Sequence, residues 1–148
     1  MGVPYNLFTG AFLGKVTEYE FGRLDPYNRT VTVDSYMKRA CSQFNHICKY
    51  DLSKYDDLIR EFSIDIPEEE IDEIVDIISE GMLVQWMKSY VYHADNLQNV
   101  LNTSDFSSYS PAELLYRITN AYNTCKKDFT NMMREYSYNH GDLSDLSL

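Results

Sequence analysis

Cys41, His46 and Cys48 lie close together in the chain, and thiol and imidazole groups are the usual ligands of zinc. Their spacing matches no common zinc signature, and Cys41 and Cys48 stand a full heptad apart on one helical stripe. Core thiols are therefore expected. With Cys125 the cysteines number 3, and an odd count without a dense framework argues against a secreted disulfide scaffold. The expected state is buried free thiols in a reducing compartment. Residues 68–76 hold a run of carboxylates, but they lack both the oxygen pattern of a calcium loop and the Glu-x-x-His pair of a di-iron helix. A solvated first helical turn is the expectation. His93 and His140 form no evident catalytic pattern with a Ser, a Cys or a paired acid. The chain carries no Gly-rich phosphate loop, nucleophile elbow or His-Glu-x-x-His. No catalytic residue, metal ligand or cofactor is predicted, which leaves open only a site assembled from distant residues.

The formal net charge is -10, from 13 Lys and Arg against 23 Asp and Glu. Phosphate-directed binding needs a basic patch, and the cations here are few and scattered, so stable DNA or RNA binding is not expected. An acidic wall along which DNA slides is compatible with the same charge. No run approaches the roughly 18 apolar residues of a membrane span. The start, Met1-Gly2-Val3-Pro4-Tyr5-Asn6, has neither the charged opening and apolar run of a signal peptide nor the usual acylation pattern.

The chain has 13 Tyr and 7 Phe but 1 Trp. Tyrosine offers large contact area with a polar tip and suits interfaces, although an AT-rich coding bias would also enrich it. Trp86, Tyr90, Tyr92, Tyr109 and Tyr116 fit either interface or ordinary boundary packing. The C-terminal residues place Leu143, Leu146 and Leu148 among small polar and acidic residues, which cannot form a core alone. That stretch is either a frayed end or a segment that docks in a partner's groove or on its sheet edge.

The elements that would position these groups are helices. Residues 5–19 carry Phe8, Phe12, Leu13 and Val16 at helical spacing, weakened by Gly10 and Gly14. Thr30-Val31-Thr32-Val33 has strand propensity but is expected to lead into the next helix. In that helix Tyr36, Met37, Ala40, Cys41, Phe44, Ile47 and Cys48 form one stripe, and Asp34 is read as its N-cap or first-turn acid. A short helical piece is expected over 53–62, with Tyr55, Leu58, Ile59 and Phe62 on its apolar face. A long helix starts near Pro67, with Ile71, Ile74, Val75, Ile78, Met82, Trp86 and Tyr90 down one face. Gly81 sits mid-helix, where a close neighbour needs room. The pattern continues after a break through Leu97, Val100 and Leu101. Ser110-Pro111-Ala112-Glu113 reads as a capped helix start. That last helix is expected to run to about Tyr136, with Leu114, Ile118, Ala121, Tyr122, Cys125, Phe129, Met132 and Tyr136 on its apolar face, and Asn139-His140-Gly141 reads as a helix stop. The expected architecture is all-α: a bundle of four to five helices over residues 1–136 and an extended C-terminal tail over 137–148 that docks on a partner.

Several stretches resemble the head–tail connector proteins of tailed bacteriophages. They are Trp86-Met87-Lys88, Asn96-Leu97, Leu101-Asn102-Thr103-Ser104-Asp105-Phe106, Tyr109-Ser110-Pro111-Ala112 and Tyr136-Ser137-Tyr138-Asn139-His140-Gly141-Asp142-Leu143. Tyr36-Met37-Lys38-Arg39-Ala40 and Phe44 match more weakly, and these motifs are structural, not catalytic. The resemblance implies an all-helical subunit of a twelve-membered ring beneath the portal protein. Its C-terminal segment would insert into the portal, and its other surface would meet a neck, stopper or tail protein. DNA would pass through the lumen without specific binding. Tyr138, Asp142, Leu143 and Leu146 are the residues expected to contact the portal. The location implied is the virion, at the head–tail interface, after assembly in the host cytoplasm. The alternative is a small phage-encoded regulatory or inhibitor protein outside the virion, which would also act by protein binding.

Overall fold

A computed structural model describes residues 2–16, 29–92 and 111–140. The described chain is mostly helical, with a small three-stranded sheet. The helices are α1 (Tyr5–Val16), α2 (Arg29–Phe44), α3 (Glu68–Tyr92) and α4 (Pro111–His140). The strands are β1 (Val3–Pro4), β2 (Tyr55–Asp56) and β3 (Glu61–Phe62).

Helix α3 is the axis of the structure, with α1, α2 and α4 packed on it. It starts after Pro67, whose carbonyl accepts from the amides of Glu70 (2.9 Å) and Ile71 (3.0 Å). Glu68, Glu69 and Glu70 in the first turn face the positive end of the helix dipole. The sequence suggested one buried stripe. Instead, burial from Ile77 to Met87 runs all the way round the helix, interrupted only by half-buried Glu80. A helix covered by three neighbours has no solvent face to give away. Trp86 fills the centre with its ring edge-on to Phe12 of α1, 6.4 Å between centroids. Each such large apolar side chain contributes about 1.5–3 kcal/mol on burial. Gly81 gives the closest approach: a Cβ there would lie 2.7 Å from Phe129 Cζ of α4 and 2.8 Å from Ala40 Cβ of α2. The room expected at this glycine is thus used by two helices at once.

Helix α2 contains Thr30-Val31-Thr32-Val33 in its opening turns, so the strand-like propensity yields to the helix as expected. Asp34 is not a cap, because α2 begins five residues earlier at Arg29. Its carboxylate turns instead to a side chain far along the chain. The stripe holds through Met37, Ala40, Cys41 and Phe44, but α2 stops at Phe44. Ile47 and Cys48 lie beyond it, 36% exposed and half-buried respectively.

The helical piece expected over 53–62 is a β-hairpin. Two local turns explain why. Asp51 Oδ1 accepts from the amide (3.0 Å) and hydroxyl of Ser53, and Asp56 Oδ1 accepts from the amide of Leu58 (2.9 Å). Aspartates that bind the backbone two residues on compete with helical hydrogen bonds and favour turns. Strand β3 lies between β1 and β2, antiparallel to both, with Val3 opposite Phe62 and Asp56 opposite Glu61. Pro4 is tolerated because β1 is an edge strand. The chain's start lies so close that a Cβ on Gly2 would meet the Phe62 carbonyl at 2.6 Å.

Helix α4 extends to His140, so residues 137–140, expected in the tail, are helical. Nothing in Ser137-Tyr138-Asn139-His140 breaks the helix, and the first strong stop signal in sequence is Gly141. The expected helical continuation near Leu97–Leu101, the Ser110 cap and residues 141–148 lie outside the described residues. Among the described residues no helix is long and apolar enough to cross a membrane.

Candidate interaction surfaces

Helix α4 is two-sided. Ile118, Tyr122, Cys125, Phe129 and Tyr136 are buried along one side. At the end of that seam, the Tyr136 hydroxyl accepts from the amide of Lys49 (3.1 Å), and the ring stands edge-on to Phe44, 4.8 Å between centroids. Burial pushes the Tyr136 hydroxyl well above the usual phenol range, so it stays protonated. Two residues on, Tyr138 is 71% exposed. Of the four residues expected to meet a portal, Tyr138 is the one the structure places. Asp142, Leu143 and Leu146 lie outside the described residues.

The opposite side of α4 carries Tyr116, Asn120, Asn123, Lys127, Asn131 and Arg134, all exposed and spaced by steps of three and four. Tyr138 continues the same stripe. From Tyr116 to Tyr138 it carries Lys127 and Arg134 and no carboxylate, while Glu113 lies one step before it and pairs with Arg117. Lys127 and Arg134 have no carboxylate partner among the described residues. Tyr116, 69% exposed, is thereby assigned to the surface and not to boundary packing.

A second surface is the tip of the β2–β3 hairpin. Leu58 is 95% and Ile59 63% exposed there, while Phe62 at the base is buried. A polar network holds the tip. Arg60 donates through Nη2 to Asp34 Oδ1 (2.7 Å) and through Nε to Asp34 Oδ2 (3.2 Å), and reaches Asn6 Oδ1 at 3.3 Å. Its guanidinium stacks over the Tyr5 ring, 5.6 Å from the centroid. The Tyr5 hydroxyl donates to Asp57 Oδ1 (2.8 Å), whose other oxygen takes Lys38 Nζ at 3.0 Å. These bonds from Lys38 and Tyr5 hold the Asp57 carboxyl below its usual range. The backbone adds a bond from the Tyr5 amide to the Arg60 carbonyl (2.9 Å), and Arg60 takes a left-handed φ of 52°. Such a residue normally closes a hairpin loop as Gly or Asn. Sequence reasoning missed the tip because its apolar residues also fit helical spacing. The signal available was the pair of Asp-x turns around it.

An open groove of about 580 Å³ runs between α2 and the hairpin, lined by Val31, Asp34, Lys38, Arg39, Asp57 and Arg60. Its two carboxylates are engaged with Arg60 and Lys38, and the hydroxyls of Ser35 and Ser42 also line it, with no histidine on that lining. A second cavity of about 320 Å³ brings Cys41 and His46 to one lining. Burial pushes the Cys41 thiol up, opposite to the shift that makes a reactive thiolate. Cys41 and Cys125 are buried thiols in no disulfide, as expected, and Cys48 is a half-buried one. No group of three His, Cys, Asp or Glu side chains that could hold a metal ion occurs among the described residues. The acidic run at the start of α3 is mostly solvated: Glu68, Glu69, Asp72, Glu73 and Asp76 are exposed. Glu70 is half-buried and receives the Tyr50 hydroxyl and Lys49 Nζ.

The described geometry defines a helical chain whose conspicuous features are surfaces. No protein-family model, curated protein or solved structure matches it.

Proposed function

We propose that this chain is a head–tail connector, or adaptor, subunit of a tailed bacteriophage. In this reading copies form a ring below the portal and join the capsid to the neck or tail. The C-terminal residues insert into the portal, and DNA passes through an acidic lumen without specific binding. The chain works by protein binding, not catalysis, and resides in the virion.

The observation that carries this reading is the end of α4. Tyr136 is locked into the core at 2% exposure, and Tyr138 faces outward from the same turn. The segment bearing Asp142, Leu143 and Leu146 therefore starts from a rigid post, which lowers the entropy lost when it docks. Leucines interleaved with small polar residues suit a groove or sheet edge on a partner. The negative charge supports the lumen role, because it repels DNA and keeps it from sticking.

The test is binding to the portal protein encoded with this chain, read by pull-down and electron micrographs. The intact chain should add a ring to the portal. Deleting residues 141–148 together with Tyr138→Ala should abolish binding and leave far-ultraviolet circular dichroism unchanged. Unchanged binding would reject the tail mechanism, and an intact chain that ignores the portal would reject the connector role.

A further inference from the structure

We infer that the tip of the β2–β3 hairpin docks on the outer stripe of α4 in a second copy of this chain, so that copies join head to tail. The inference rests on the ring reading above and names the two surfaces that would build the ring.

Three observations converge. First, Leu58 and Ile59 stand in solvent at a tip braced by Arg60, Asp34, Tyr5 and Asp57. An exposed apolar pair on a rigid support is the form of an interface anchor, since little order remains to be gained on binding. Second, Asp56 and Glu61 face each other directly across the hairpin, and neither has a cationic partner among the described residues. Like charges in that position are unfavourable in the free chain and are relieved by a cation from outside. Third, the outer stripe of α4 supplies what the tip lacks. Lys127 and Arg134 are exposed cations without carboxylate partners, and Tyr116, Asn120 and Asn123 offer an uncharged platform beside them. The acidic start of α3 would repel the tip, whereas the outer face of α4 carries two such cations on one stripe.

The geometry favours a ring over a symmetric pair. The tip is held by α1 and α2, whereas the stripe points away from α3 on α4, and the two patches share no residue. A contact between two different patches is heterologous, and it closes into a ring when the rotation per copy permits. One tip is a small contact. Copies seated on a portal would hold each other through linked contacts, so assembly is expected to be weak in the free chain and strong on the portal.

The test uses two full-length variants at exposed positions. The tip variant is Leu58→Ser with Ile59→Ser, and the stripe variant is Lys127→Glu with Arg134→Glu. Sedimentation velocity over a concentration series, alone and with the portal, reads assembly, and unchanged thermal melting establishes folding. Each variant alone should lose self-association by more than about tenfold. An equimolar mixture should form a one-to-one pair and nothing larger, because one intact tip then meets one intact stripe. Zero-length carbodiimide coupling of the intact chain should join Lys127 of one copy to Asp56 or Glu61 of another. If both variants assemble as the unaltered chain does, or the mixture forms no pair, the interface is overturned while the ring reading stands. If the unaltered chain stays monomeric alone and with the portal, the ring reading falls and this interface falls with it.

Discussion

Arg60 and Asp34, 26 positions apart in sequence, form a two-pronged ion pair that clamps the β2–β3 hairpin to the second turn of α2. The pair is partly screened, with side-chain exposures of 37% for Arg60 and 18% for Asp34. Arg60→Ala removes both prongs, the Asn6 contact and the stacking on Tyr5. Given the partial exposure, the expected loss is about 1–2 kcal/mol, read by denaturant unfolding. Arg60 also holds a left-handed φ of 52°, which a Cβ disfavours. Arg60→Gly should therefore be about 1 kcal/mol less destabilising than Arg60→Ala. Equal losses would show that the turn conformation carries no strain.

The triple contact at Gly81 makes a steric prediction. An added Cβ meets both the Phe129 ring and Ala40 Cβ below 3 Å, and the second is fixed to backbone. Gly81→Ala should destabilise the chain by about 1–3 kcal/mol despite the better helix propensity of alanine. Adding Ala40→Gly should recover part of that loss. A stabilised Gly81→Ala would mean that α2, α3 and α4 are less closely packed than described.

Alkaline pH probes the join between the segment after α2 and the start of α3. The Tyr50 hydroxyl donates to Glu70, and this bond to a carboxylate, with burial second, pushes its pKa up from 10.0 to about 12. A group whose folded pKa is raised adds stability that is fully present below its unfolded value. That contribution is lost as pH rises through the folded value. Stability should therefore fall between pH 10 and about 12, and Tyr50→Phe should be less sensitive in that window. Unfolding midpoints measured across the range check this, and an identical alkaline profile for both chains would remove the Tyr50–Glu70 contribution.

Much of the helical architecture was legible in the residues. Met37, Ala40, Cys41 and Phe44 on α2, and Ile118, Tyr122, Cys125 and Phe129 on α4, repeat at helical spacing because each helix buries one face. Pro67 and Pro111 mark helix starts because the first turn has amides that need no internal partner. Gly81 was readable as a close approach. The hairpin was not, because Tyr55, Leu58, Ile59 and Phe62 satisfy a helical period as well as they satisfy a turn. Tyr138, expected in the tail, lies in the last turn of α4, because the apolar stripe ends at Tyr136 while the stop signal comes only at Gly141.

The sequence by itself determined where apolar side chains repeat and where charge accumulates, and those two patterns settle a mostly helical chain with an acidic balance. Only the tertiary structure decided that Asp34 answers Arg60, that Leu58 and Ile59 stand in solvent, and that the stripe of α4 bearing Lys127 and Arg134 is turned outward. The physical reason is range. Helical periodicity is set by neighbours three and four residues apart. Ion pairs, strand register and exposure depend on residues that meet only after the chain has packed.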